Sequence, residues 1–201
     1  MVLLKKIFGY TLAVVTIGFM LLVIGRMVHF SNLEKTTAVV EKIHSTKLTL
    51  ADVMGDNLPP DPGEAKDATI AGIDANQNGI RDDVELAVFK QYPKSAKIRA
   101  ALLQYALVLQ MEFTQPVMNK EIVIAVAQES SRASMCIGQL SSRNNIEKFI
   151  KVTYEYNDFI KSRQINNKER DLFEAEFLKK IGSYSDLNGV DCDIDFATLP
   201  N

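Results

Sequence analysis

Residues 95–109, SAKIRAALLQYALVL, decide the fold class. Ile98, Leu102, Tyr105 and Leu109 fall at i, i+4, i+7 and i+11, one stripe of a 3.6-residue helix. Ala100, Ala101, Leu103, Ala106, Leu107 and Val108 fill most of the remaining circumference. A helix that is apolar nearly all round is covered on several sides. The spacing predicts a central helix that opens at Ser95 and has other helices packed around it.

Those other helices are legible on either side. Upstream, a helix runs from Asp82 to about Gln91 and stops before Pro93, which cannot continue it. Downstream, Pro116 leads into a helix over about 117–140, with Ile122, Val123, Val126, Met135 and Ile137 as its apolar positions. Asn144 with Glu147, and Asn166 with Glu169, read as the N-caps of two more. The first of these carries Ile146, Phe149, Ile150, Thr153, Tyr156 and Ile160. The second carries Leu172, Phe173, Ala175, Phe177 and Leu178 and is expected to close at Gly182. Strand signals are few and no internal repeat is evident. The expected class is all-α, an irregular bundle of about five helices.

The N-terminus reads differently. Residues 7–24, IFGYTLAVVTIGFMLLVI, contain no charge. At 1.5 Å per residue the run is about 27 Å long, close to the hydrocarbon thickness of a bilayer. Lys5 and Lys6 precede it, and Arg26 and His29 stand at its far end to snorkel. The run is longer than a secretory signal core, and no small-x-small cleavage site follows it. No cysteine follows it for a lipid anchor. Residues 1–30 are therefore expected to be an uncleaved signal anchor. The basic flank would lie in the cytoplasm and the rest of the chain outside, most simply across a bacterial inner membrane.

Residues 31–73 connect this anchor to the bundle. Ser31 and Glu34 form an S-x-x-E capping pattern, expected to start a short stalk helix ending near residue 45. The stretch KLTLADVMGDNLPPDPGEAKDATIAGI at 47–73 reads as irregular, because Pro59, Pro60 and Pro62 remove backbone donors and Gly63 marks a turn. Leu48, Leu50, Val53 and Leu58 are expected to anchor it as an extended strap. The domain proper is then 74–201.

That domain opens on DANQNGIRDDVE, residues 74–85. Oxygen-bearing side chains occupy loop positions one, three, five, nine and twelve, and glycine occupies six. A hard cation such as Ca²⁺ takes six to eight oxygens, which a short loop supplies by curling around the ion. Asp74, Asn76 and Asn78 would ligate from alternate positions and Gly79 would allow the sharp turn. The Ile80 carbonyl, Asp82 (directly or through water) and the two oxygens of Glu85 would complete the shell. A capped acidic turn is the plainer alternative, but a turn does not need five oxygen residues in this register.

The spacing resembles the calcium loops of EF-hands, dockerins and thrombospondin type 3 repeats, over these twelve residues only. It departs from the EF-hand in carrying Ile80 at position seven and Arg81 at eight, where the EF-hand has its aliphatic residue at eight. No second loop of this spacing occurs, and Gly72 and the prolines upstream argue against an entering helix. The resemblance therefore implies a structural calcium site and not a paired sensor. Three loop carboxylates suit an extracellular affinity, on the order of 10⁻⁴ to 10⁻³ M.

Cys136 and Cys192 are the two cysteines. In an oxidising compartment such a pair tends to form a disulfide, and no Cys or His stands at zinc-ligand spacing from either. Residues 31–201 hold 20 of the 23 basic residues and all 25 acidic ones, a formal charge of −5. Without a basic stripe, nucleic acid is not an expected partner.

Catalytic signatures are sparse. His29 lies at the membrane edge and His44 on the expected stalk, so no Ser-His-Asp or Cys-His set is suggested. No phosphate-binding glycine loop occurs. Glu112, Glu121 and Glu129 are expected to be exposed helix-face charges, with a glycosidase-type acid pair as the minority alternative. Asp191, Asp193 and Asp195 read as a solvated acidic loop, and Tyr154 and Tyr156 as packing residues. The absence of an N-x-S/T sequon fits a bacterial source. The expected function is a membrane-anchored, extracytoplasmic calcium-binding interaction module with a protein partner. The alternatives are a hydrolase of an envelope polymer and an inhibitor or immunity-type protein.

Overall fold

A computed structural model describes residues 2–115 and 119–200. The expected start of the third bundle helix at Pro116, and positions 117 and 118, lie outside the described residues. Among the described residues seven α-helices follow in order: α1 Val2–Ser45, α2 Leu50–Met54, α3 Asp82–Gln91, α4 Ala96–Thr114, α5 Lys120–Gly138, α6 Ile146–Gln164 and α7 Lys168–Leu178. Two 3₁₀ turns cover Gly63–Asp67 and Phe196–Thr198. No strand occurs among the described residues, so the class is all-α, a long apolar N-terminal helix followed by a helical bundle.

The chain forms two units, residues 1–41 and residues 42–201. The first is a single helical rod, and α1 is long and apolar enough to cross a membrane. Leu12, Val15, Phe19, Leu22 and Met27 are exposed along it. The Thr16 hydroxyl donates to the Leu12 carbonyl at 2.9 Å, so even this polar group is satisfied within the helix. Residue 31 does not begin a new helix as expected. No glycine or proline interrupts the chain between Arg26 and Ser45, so Ser31 sits inside a continuous α1. Its 44 residues span about 66 Å.

In the second unit α4 is central and packs against α2, α3, α5, α6 and α7. Leu102, Leu103 and Leu107 are fully buried, and Ser95 caps the helix by accepting from the Ile98 N–H. The N-caps of α6 and α7 are Asn145 and Asn167, each one residue after the expected Asn144 and Asn166. Both sites are Asn-Asn pairs in which either amide is chemically suited to cap. Helix α7 ends at Leu178, four residues before the expected Gly182.

The strap is ordered but less extended than expected. Thr49 and Asp52 form a reciprocal capping box that starts the single-turn-and-a-half α2. Leu48 and Val53 are buried, whereas Leu50 and Leu58 are exposed and do not anchor it. A helical turn presents fewer faces inward than an extended strand, and Val53 occupies the inward one. Buried polar side chains clamp the remainder. Arg99 Nε donates to the Val53 carbonyl at 2.9 Å and Gln110 Nε2 to the Ala71 carbonyl at 2.7 Å. Arg170 donates to the carbonyls of Lys66, Thr69 and Ile70.

The C-terminal segment is likewise tied down. Cys136 of α5 and Cys192 form a disulfide that joins positions 56 apart in sequence. The Asp193 N–H donates to Gln104 Oε1 at 2.8 Å, and Gln104 Nε2 donates to the Asp191 carbonyl at 2.8 Å. The expected solvated loop is therefore wrong at Asp193, whose side chain is buried and ion-paired to Arg132 at 2.7 Å.

Candidate metal site

The loop at 74–85 folds as a tight cup. The two oxygens of Asp74 accept from the N–H groups of Asn78 (3.1 Å) and Gly79 (2.9 Å). Asn78 Oδ1 accepts from the Ile80 N–H at 2.9 Å, and Asn76 Oδ1 from the Asn78 N–H at 3.4 Å. Gly79 has φ +85°, the left-handed region that glycine enters without a Cβ penalty. A Cβ there would also lie 2.7 Å from Leu107 Cδ1 of the central helix, so this glycine serves both the turn and the packing. The Ile80 side chain is fully buried beneath the cup.

Helix α3 supplies the closing carboxylates. Asp82 is its first residue, is fully buried, and accepts the Ala75 N–H on both oxygens at 3.0 and 3.2 Å. Burial raises its pKa. Glu85, 1% exposed, accepts one amide N–H from Asn76 and one from Asn78, each at 3.1 Å. Burial pushes Glu85 up to about 7 against those two hydrogen bonds, with the charges of Asp52 and Asp82 adding to the rise. The expected residues Asp74, Asn76, Asn78 and Glu85 thus converge, while Asp82 closes the mouth of the loop and Ile80 anchors its floor.

Two groups from outside the loop join it. Asp52 of α2 turns one oxygen to Thr49, accepting its N–H at 2.9 Å and its hydroxyl at 2.6 Å. Its other oxygen lies 3.5 Å from Asn78 Nδ2. The Asn57 carbonyl accepts from Asn76 Nδ2 at 2.8 Å. The sequence reading missed both, although the T-x-x-D spacing of Thr49 and Asp52 marks the cap that aims Asp52.

The donor set bears on a cation in two ways. Among the described residues no Lys, Arg or His forms an ion pair with Asp52, Asp74, Asp82 or Glu85. Four acidic side chains therefore share one region with only neutral hydrogen-bond donors facing them. Against that, no three His, Cys, Asp or Glu side chains converge closely enough to hold a metal by themselves among the described residues. A hard cation here would also need amide and main-chain oxygens. An oxygen that accepts one N–H keeps a second lone pair for that purpose.

A second polar cluster lines a groove of about 490 Å³ beside the disulfide. Glu129 of α5 is buried, correcting the expected exposed charge, and so is Glu112; Glu121 is exposed. Glu129 takes His44 Nδ1 at 3.0 Å, Lys47 Nζ at 3.1 Å and Arg132 at 2.7 Å. Arg132 and Lys47 reach on to Asp193 at 2.7 and 3.9 Å. Burial alone would raise Glu129, but hydrogen bonds from His44 and Arg132 and the charges of Arg132 and Lys47 leave it lowered. His44 is thus drawn into the body of the domain, where the sequence suggested only a stalk position. Tyr156 of α6 packs as expected, its ring meeting Tyr92 at 5.8 Å with Phe159 beside it at 5.4 Å, whereas Tyr154 is exposed.

No family model, curated protein or solved structure matches this chain.

Proposed function

We propose that this chain is a membrane-anchored, extracytoplasmic interaction module whose folded surface is stapled by calcium and by the Cys136–Cys192 disulfide. The observation that carries the reading is the cup at residues 74–85. It gathers Asp74, Asn76, Asn78 and Glu85, and adds Asp52 from the strap, without a pairing cation among the described residues. A bound Ca²⁺ would supply the counter-charge that two neutral amides do not. Asp74, Asn76, Asn78 and Glu85 would hold it with the Ile80 carbonyl, Asp82 would complete or support the shell, and Asp52 would link the ion to the strap. The role is structural: the ion would hold the segment at 47–73 against the start of α3.

Membrane anchorage is supported by α1, and an outside location for residues 42–201 by the disulfide and by Lys5 and Lys6 at the opposite flank. The interaction role rests on the charge state of the second polar cluster. In the Glu129 and Asp193 groove, shared cations neutralise both carboxylates, and Glu129 is lowered, so it does not retain a proton to donate. That favours binding over hydrolysis of an envelope polymer.

The test is thermal unfolding of the oxidised full chain in detergent, in chelator, in millimolar magnesium and in millimolar calcium. Calcium is expected to raise Tm with magnesium having little effect, and Asp74→Ala and Glu85→Ala each to abolish the rise. At the expected affinity, 1 mM calcium stabilises the fold by about 0.4–1.4 kcal/mol. A calcium response in both variants as large as that of the parent chain would remove the site.

A further inference from the structure

We propose that the Glu112 carboxyl holds a proton in the folded domain and that its ionisation unseats α7, making the bundle tighter in mildly acidic than in alkaline surroundings. Glu112 lies on α4 and is 4% exposed. Its Oε2 is buried and has no hydrogen-bond partner among the described residues. Helix α7 packs at this level, with the Phe113 and Phe173 rings 5.4 Å apart. The residue after Phe173 is Glu174, which is itself buried.

The charges around Glu112 do not balance. From α6, Lys161 Nζ reaches Glu174 at 2.8 Å. From α4, Tyr105 contributes a buried phenol that is hydrogen-bonded to the uncharged Ser134 of α5. From α7 comes Glu174. One ammonium therefore faces two carboxylates, and it is already engaged by Glu174. An orphaned oxygen in a closed setting is tolerated far better on a neutral carboxylic acid than on a carboxylate. Burial, and then the Glu174 charge, pushes Glu112 up to about 8, with Lys161 acting in the other direction.

The direction of the effect follows from that rise. The unfolded chain releases this proton near 4.5, whereas the folded domain retains it to about 8. The stability that Glu112 contributes is therefore fully present below 4.5 and is lost progressively as pH rises from there through about 8. The ionised form repels Glu174, so the element that yields is α7, whose displacement uncovers Phe113 and Phe177.

Hydrogen exchange of the full chain in detergent, corrected for the intrinsic pH dependence of exchange, tests this between pH 6.5 and 9.5. Up to about pH 8, protection of residues 168–178 is expected to fall by roughly tenfold per pH unit, because the opened state releases the proton that the closed state keeps, and to level off above that. Glu112→Gln, which is isosteric and always neutral, is expected to remove that loss. Glu174→Gln keeps the Glu112 carboxyl but removes the like charge that raises it, so the loss is expected to be smaller and to level off at lower pH. Infrared spectroscopy at pH 7 is expected to show a protonated-carboxyl band that Glu112→Gln lacks. An undiminished loss in Glu112→Gln, a flat profile in the parent chain, or no such band would each overturn the proposal. If Glu112→Gln fails to fold, an unmoved profile in Glu174→Gln would do so.

Discussion

Arg170 shows how much of this fold rests on single polar side chains. It is the third residue of α7, where the helix dipole disfavours a cation. It is nevertheless fully buried, because its guanidinium turns away from the helix and takes the carbonyls of Lys66, Thr69 and Ile70, with Asp67 and Asn166 beside them. That misplaced charge was visible in the sequence and is the signal that could have found the clamp. Arg170→Met keeps the volume but leaves three strap carbonyls without a donor. A cost of about 3–5 kcal/mol is expected, read from the urea midpoint, together with new proteolysis between residues 59 and 72. Arg170→Lys is expected to recover only part of it, since an ammonium lacks the planar fork. Unchanged stability in Arg170→Met would show that the strap is held from elsewhere. Arg81 does similar work at the end of α6, donating to the carbonyls of Arg163 and Gln164 at 2.6 and 3.0 Å.

At the scale of elements, periodicity revealed what burial controls and concealed what pairing controls. Helix α4 was legible because apolar residues surround it, and α3 because Pro93 ends it. The tight turn at 74–85 was legible because its Asx and glycine positions are a local property. Glu112, Glu129 and Asp193 were not, since their burial depends on groups far along the chain: α7 over Glu112, His44 and Lys47 on Glu129, and Arg132 on Asp193. Asp52 was missed for the same reason, lying 26 positions from Asn78. A contrast between two aliphatic residues tests the packing argument. Leu102 of α4 is fully buried and Ile146 of α6 is 60% exposed. Leu102→Ala is expected to cost about 2–5 kcal/mol. Ile146→Ala is expected to stay within about 0.5 kcal/mol. Equal effects in denaturant titrations would mean that α4 is not the centre of the core.

For the whole molecule, the disulfide doubles as a reporter of where the domain folds. Cys136 is fully buried in α5 and Cys192 lies on the C-terminal segment. The bridge closes a long loop, which in the chain-entropy account disfavours the unfolded state by roughly 4 kcal/mol. It persists only in an oxidising compartment. The proposed topology places residues 42–201 in such a space and the Lys5 and Lys6 flank in the cytoplasm. Full-length chain recovered from bacterial membranes under thiol-blocking conditions is therefore expected to carry no alkylated cysteine and to yield one Cys136–Cys192 peptide pair. A chain beginning at residue 31, made in the same cells without α1's apolar run, is expected to be alkylated at both positions. Free thiols in the membrane-bound full chain would reverse the topology and with it the case for a calcium-rich environment. Bridged thiols in both chains would show that the pairing forms during handling and reports nothing about compartment, leaving α1 and its flanking charges to carry the orientation.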